Sequence, residues 1–291
     1  MSPKVAPTLG AIVLAAGRST RFKGASAKVL HPLVGKPLVL HVLDTLRELH
    51  KSSKLKEVCV VVSPGREVSK ALDGIRFPFP VTFAVQRERR GTGDATQVGL
   101  KKLTPVDDVL VLAGDAPLVR ANSLLELVEK RRTDQAAGAL LTAVLDDPGP
   151  YGRILRKRKR IVGIVEARDA TPEQASIKEI NTCILVYTRE ALTSALPRLS
   201  SDNAQKEKYL TDVVGILIGD GEQLSSVEGH QHDVLGTNTR AEYATIARLA
   251  RERILNGLMD AGVTILDPDT TYIDAGVVVG PDTTILPNTY L

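Results

Sequence analysis

The sequence predicts an α/β protein built on a mostly parallel sheet. Short runs rich in Val, Ile and Leu recur along the first half, amphipathic stretches separate them, and each run ends in small or polar residues. Continuous apolar runs of this kind are strands buried on both faces, as the inner strands of a parallel sheet are. Their alternation with helical stretches indicates βαβ units.

The first run, Ala11 to Leu14, leaves through Ala15, Ala16 and Gly17, and the cations Arg18, Arg21 and Lys28 follow. A strand end with small residues, free backbone N–H groups and nearby cations suits a polyphosphate. An ordinary surface turn explains the same residues, and the spacing is not that of a Walker loop. Apolar positions Leu38, Val42, Leu46 and Leu49 predict a helix from Pro37 to His50. Val58–Val62 is the second strand, closed by the turn Ser63-Pro64-Gly65. Val81–Val85 is the third and ends at Gln86, after which Gly91-Thr92 opens a helical stretch. Val109–Leu112 is the fourth and ends in Ala113-Gly114-Asp115; a helix over Ser123–Arg132 and a strand over Ala139–Val144 follow. Ligands of open parallel sheets sit beyond the C-terminal strand ends, which is where Gly17, Gln86 and Asp115 fall.

The alternation breaks after Pro148. Ile154-Leu155 and Ile161–Val165 read as strands flanking the basic run Arg156–Arg160, which without aromatic neighbours reads as a solvated hairpin tip. Another strand is expected at Ile184–Val186, then helices from Arg189 and near Asp212, and a long helix over Ala241–Asp260. The period then changes: Ile273, Val279, Ile285 and Leu291 are spaced by six, the mark of a parallel β-helix. About one coil is present, and such a stub is expected to be continued or covered by something outside it.

Composition narrows the function classes. The chain has 291 residues, 43% hydrophobic and 25% charged, with 3% aromatics and a net charge of +4. That charge is compatible with anionic small substrates and too weak to argue for nucleic acid, and scarce aromatics disfavour base stacking. Cys59 and Cys183, far apart in apolar runs, predict neither a disulfide framework nor a zinc site. No apolar stretch approaches the roughly 20 residues of a membrane span, and the N-terminus lacks a signal-peptide core. A soluble, cytoplasmic protein without membrane or nucleic-acid partners is expected.

Several residues are candidates for chemistry. Asp115, after a buried strand and a glycine, is placed to hold Mg²⁺ or to serve as a loop aspartate. Asn238 is a candidate second metal ligand or the N-cap of the following helix. Lys28 has no carboxylate partner near it in sequence, which points to an anion. Gln86, Gly91 and Thr92 suit hydrogen bonding to a nucleobase, or form an unremarkable loop. Gly152, Glu166 and Asn181 suit sugar hydroxyls, though nothing local requires one. His31 and His41 read as structural.

Leu14-Ala-Ala-Gly-Arg-Ser-Thr-Arg21 with Lys28-Val-Leu-His-Pro32 resembles the signature of sugar-phosphate nucleotidyltransferases. Gln86…Gly91-Thr-Gly93, Gly114-Asp-Ala-Pro-Leu118, Tyr151-Gly-Arg-Ile154, Ile164–Thr171, Glu179-Ile-Asn-Thr182, Asn203-Ala-Gln205, Tyr209-Leu-Thr-Asp212 and Gly262-Val-Thr264 extend it. Taken in order, they resemble the N-terminal half of the bacterial bifunctional N-acetylglucosamine-1-phosphate uridyltransferases. The resemblance implies a Rossmann-like nucleotidyltransferase domain over 1–240, a linker helix over 241–262 and the start of a left-handed β-helix over 263–291. It implies UTP and N-acetylglucosamine 1-phosphate as substrates and Mg²⁺ as cofactor, serving cell-wall and lipopolysaccharide precursors, with a sister sugar or nucleotide, or a non-catalytic sensor, as alternatives. Acetyltransferase activity is not expected of this chain, and a homotrimer is implied if a β-helix domain is present.

By the same resemblance Leu14, Ala15, Ala16, Gly17, Lys28, Gln86, Gly91 and Thr92 would bind nucleotide. Gly114, Gly152, Glu166, Asn181 and Asn238 would bind sugar, Asp115 and Asn238 would hold metal, and Lys28, Arg18 and Asp115 would be catalytic. The chain departs from the family pattern at Ser19, Ala27, Asp94, Ala113, Cys183, Lys206 and Lys208.

Overall fold

The computed structural model describes residues 7–17, 22 and 27–291. Arg18, Ser19 and Arg21 lie outside the described residues.

In chain order the first elements are β1 (Leu9–Ala15), β2 (Pro32–Leu33), β3 (Lys36–Pro37), α1 (Leu38–Ser52), β4 (Leu55–Val62), α2 (Glu67–Ala71) and β5 (Val81–Val85). There follow α3 (Thr92–Lys102), β6 (Asp108–Ala113), α4 (Ala121–Thr133), β7 (Gly138–Val144), β8 (Arg153–Lys157), β9 (Arg160–Val165) and α5 (Pro172–Ala175). The remainder is β10 (Glu179–Thr188), α6 (Arg189–Ala195), α7 (Asp212–Gly219), β11 (Leu224–Glu228), α8 (Arg240–Asp260), β12 (Thr264–Ile265) and β13 (Thr284–Ile285).

The main sheet runs β11-β7-β10-β6-β1-β4-β5, with the β8–β9 hairpin joined through β8 to β10. β1 lies inside the sheet between β6 and β4, parallel to both. Period-two burial sorts the side chains of β1 between two layers. Leu9, Ala11, Val13 and Ala15 pack with α1 and α4 on one face, whereas Ile12 packs with α3, α6 and α7 on the other. Within α1, Leu38, Val42, Leu46 and Leu49 fall on one face at helical spacing, and each is buried. Burial of each such leucine contributes about 2 kcal/mol before entropy is counted.

One feature departs from simple alternation. β10 is antiparallel to both β6 and β7. It is also longer than the expected Ile184–Val186, because its first half carries polar residues that no apolar run reveals. Its pairing with β7 is irregular between Asn181 and Leu185, and a bulge of this kind re-aims side chains locally. β11 carries no strong apolar run and goes unnoticed in the sequence. The basic run forms the β8–β9 hairpin tip as expected, and Arg156 is partnered by Glu179 and Ser226.

α8 packs onto the body of the protein: Ile246 and Ala250 meet Leu33, Leu38 and Leu118. Arg253 secures the contact by donating to the Leu118 carbonyl at 2.9 Å and to the Asp233 carboxylate at 2.7 Å. Past α8, β12 pairs in parallel with β13, and Tyr272 bridges to Tyr290. Ile273 and Ile285 are buried with Leu255, Val263 and Ile265 around them, and Val279 packs at the edge. Leu291, the fourth member of the six-residue period, is instead 44% exposed.

Candidate active site

The C-terminal ends of β1, β5 and β6 open into a cleft of about 640 Å³. A second cavity of about 230 Å³ adjoins it, and Thr92, Ala113, Asp115 and Cys183 line both. The two share a wall at the end of β6, so a molecule with two unlike ends can lie across it.

The larger cavity collects distant stretches of chain. Leu14, Ala15, Ala16 and Gly17 line it from β1, Lys28 from a short 3-10 turn, and Gln86, Gly91 and Thr92 from the β5–α3 connection. Gly91 has φ +103, and a Cβ there would come within 2.5 Å of the Lys208 carbonyl. Only glycine lets the two loops approach this closely. The Gly93 N–H donates to Lys208 O at 2.8 Å, the Lys208 N–H to Arg90 O at 2.7 Å, and the Leu210 N–H to Thr92 Oγ1 at 3.0 Å. These bonds strap the 203–210 loop over the base of the cleft, and Ala204, Gln205 and Glu207 line it.

Lys28 is not the unpartnered cation its sequence neighbours suggest. Its Nζ forms an ion pair with Asp115 Oδ2, on a stretch of chain 87 residues later. The pair is largely buried and stands at the edge of the shared wall, so a cation and a carboxylate face the cleft together.

The smaller cavity is lined by Gly152, Glu166, Asn181 and Asn238, with Tyr151 and Thr211 beside them. The bulge in β10 organises this side. The Asn181 N–H donates to Gly152 O at 2.8 Å, and the Cys183 N–H to Asn181 Oδ1 at 3.2 Å. Cys183 adopts a left-handed conformation, φ 59, which L side chains adopt at some cost. Burial, with the Glu166 and Asp115 carboxylates adding to it, pushes the Cys183 thiol up to about 12, so it stays protonated at neutral pH. At Gly152 a Cβ would lie 3.5 Å from Glu166 Oε1 and 3.2 Å from Ile164. Thr211 Oγ1 donates to Glu166 Oε1 at 2.9 Å. Burial nonetheless raises the Glu166 pKa, and Asp212 and Asp169 add to the rise against the Thr211 bond.

Asn238 is not the helix cap. Thr239 caps α8 by accepting from the Glu242 N–H at 3.1 Å, while Glu242 accepts from the Thr239 N–H at 2.7 Å. The Thr237 N–H donates to Asp115 O at 3.0 Å, tying the segment before α8 to the end of β6. Asp115 and Asn238 thereby line one cavity. A carboxylate and an amide carbonyl are hard oxygen donors that fit Mg²⁺, which takes few protein ligands where phosphates supply the rest. Among the described residues there is no group of three or more His, Cys, Asp or Glu placed to hold a metal.

The structure thus brings every expected nucleotide and sugar residue to the two cavities except Gly114. That residue lines neither; its N–H donates to Leu14 O at 2.9 Å, closing β6 onto β1. Arg18 lies outside the described residues. Sequence reasoning missed Thr211, Cys183, Arg89 and Arg168 as lining residues. Thr211 stands in the Tyr209-Leu-Thr-Asp212 motif, which is the only signal that marked it. His41 is structural, bonded to Leu33 O at 2.8 Å, and His31 packs edge-on against Tyr243.

Comparison with known proteins assigns this mostly parallel α/β fold, with its two adjoining cavities at the strand ends, to the nucleotidyltransferases. The chain belongs to the MobA-like NTP transferase domain family, whose profile matches residues 11–211. It is 40% identical over 286 residues to the bifunctional protein GlmU of Desulfitobacterium hafniense, covering 98% of this chain and 61% of that protein. Identity to the bifunctional protein GlmU of Mycolicibacterium vanbaalenii is 41% over 290 residues, covering 96% of this chain and 58% of that one. The chain therefore spans about three-fifths of these relatives' length. A UDP-glucose pyrophosphorylase complexed with UDP-glucose shares the fold, with a TM-score of 0.70 at 14% identity over 84% of this chain and 99% of that one. No helix among the described residues is long and apolar enough to cross a membrane.

Proposed function

We propose that this chain transfers UMP from UTP to N-acetylglucosamine 1-phosphate, giving UDP-N-acetylglucosamine and pyrophosphate. The observation that carries the reading is the Lys28–Asp115 pair at the wall shared by the two cavities. The larger cavity would take UTP and the smaller one the sugar, so that the two phosphates meet beside Asp115.

The sugar phosphate oxygen attacks the α-phosphorus in line, and pyrophosphate leaves from the opposite side. A phosphate monoester is already ionised at neutral pH, so no side chain has to remove a proton. Ala15, Ala16 and Gly17 let the triphosphate lie against backbone N–H groups. Lys28 neutralises charge on the phosphates, and Glu166, Asn181 and Asn238 orient the sugar. Asp115 and Asn238 would hold Mg²⁺, which supplies further charge neutralisation at the reacting phosphates. The chemistry is positioning and electrostatic stabilisation, the usual content of phosphoryl-type transfer.

The exposed apolar side chains past α8, among them Val278 at 92% and Leu286 at 62% exposure, support reading residues 263–291 as the start of a β-helix. We infer further that residues 1–240 form the transferase domain, that the protein works in the cytoplasm, and that a homotrimer forms if a β-helix domain is present.

Asp115→Ala tests the site. Pyrophosphate release should fall by about 10³-fold or more, as expected on removing a group that both holds metal and fixes Lys28, with an unchanged circular dichroism spectrum. Near-normal turnover in that variant would exclude Asp115 from the mechanism.

A further inference from the structure

Gln86 is 4% exposed and lines the larger cavity. Its side-chain Nε2 donates to Gly91 O at 3.0 Å and to Asp94 Oδ2 at 2.8 Å. Both partners are oxygens that only accept, so the amide has one allowed orientation. Turning it over would set Oε1 against two oxygens with no hydrogen between them. Both N–H groups are thus consumed on the protein side, and the carbonyl is what Gln86 presents to the cleft. Asp94 is itself fixed in the first turn of α3, where a carboxylate faces the positive end of the helix. The backbone adds its own support: the Gln86 N–H donates to Val62 O at 2.9 Å, which seats the residue at the strand end.

We propose that Asp94 is a positioning residue for nucleobase choice: it latches the Gln86 amide so that its carbonyl accepts from the base. This rests on the uridylyl-transfer reading above. The preferred base would then carry a ring N–H beside a carbonyl, as uracil does. Cytosine presents a lone pair at the corresponding ring nitrogen and meets the Gln86 carbonyl with repulsion. Asp94 touches no substrate in this account. It acts through Gln86, and it needs only an acceptor atom, not a charge.

UTP and CTP, nearly identical in shape, form the test pair, with kcat and KM measured for each and pyrophosphate as the product followed. The wild-type chain should favour UTP by at least about 100-fold in kcat/KM, since a site built to pair with one edge leaves its polar groups unpaired on the other. Asp94→Ala should reduce the UTP-to-CTP ratio by about tenfold, mostly through KM for UTP, because Gly91 O alone then orients the amide. Asp94→Asn keeps an acceptor oxygen and should hold the ratio within about twofold of wild type. Asp94→Val fills the space without an acceptor and serves if the alanine variant does not fold. A selective wild type whose alanine variant keeps the same ratio overturns the latch while leaving the transferase reading intact. An asparagine variant that loses as much selectivity as alanine also overturns it. A wild type that turns over neither nucleotide removes the transferase reading and the latch with it.

Discussion

The two cavities that meet at Asp115 are built by different means. The larger one is made from the ends of parallel strands: backbone at Leu14 to Gly17, small side chains, and a loop held by Gly91. The smaller one hangs on a bulged antiparallel strand and gathers Gly152, Glu166, Asn181, Thr211 and Asn238 from separate connections. The first presents backbone donors and the cations Lys28, Arg89 and Arg168. The second presents carboxylate, amide and hydroxyl groups in a partly desolvated space. A polyphosphate needs charge and close backbone approach, whereas a sugar needs donors and acceptors fixed in direction. The construction of each side matches one of those demands, which supports the division of labour proposed here.

The sharpest way to break this comparison is to damage one side and ask whether the other notices. Glu166→Ala should lower kcat/KM for the sugar phosphate by about 10²-fold, the effect of removing a half-buried, directional hydrogen-bond partner. KM for UTP should stay within about threefold, because Glu166 lines only the smaller cavity. Steady-state kinetics with each substrate varied in turn checks this, and an equal loss on both would mean that the cavities do not act separately.

A second, smaller effect concerns pH. Burial raises the Glu166 pKa above its ordinary carboxylate value. The folded protein therefore holds a proton that the unfolded chain has already released over the window between the two values. Stability from this group is full below the unfolded value and falls as pH rises toward the folded one. Above that window the charged carboxylate remains as a standing cost. Glu166→Gln should accordingly flatten the fall in melting temperature above pH 4.5 and raise stability at neutral pH, while still impairing the sugar side. A melting profile that keeps the wild-type slope would show that another group sets it.

The smallest effect is expected at the junction. Cys183 has φ 59, and Cys183→Gly removes that strain at the cost of a more flexible unfolded chain. The net gain should be no more than about 1 kcal/mol in chemical denaturation. The junction would also widen, and because Cys183 lines both cavities KM should move for both substrates.

The difference between the cavities also explains what the sequence made legible. The larger cavity could be read because residues lining it follow apolar runs directly: Gly17 after β1, Gln86 after β5, Asp115 after β6. Local pattern places such residues without any knowledge of tertiary contacts. The Lys28–Asp115 pair spans 87 residues, so no local pattern could supply it, and Lys28 looked unpartnered. The smaller cavity was visible only through resemblance. Asn181 sits in the polar half of β10, whose antiparallel run between β6 and β7 is set by its neighbours and not by its own periodicity. Asn238 read as well as a helix cap until the structure gave that role to Thr239. Thr211 contributes through one bond to Glu166, a contact that exists only after folding.

The most direct test of the account is a substrate panel on the unaltered chain. UTP with Mg²⁺ is offered N-acetylglucosamine 1-phosphate, glucosamine 1-phosphate or glucose 1-phosphate, and pyrophosphate and nucleotide sugar are quantified together. Equimolar pyrophosphate and UDP-N-acetylglucosamine are expected, with the acetamido sugar strongly preferred. Preference for glucose 1-phosphate, or no pyrophosphate from any pair, would contradict that expectation.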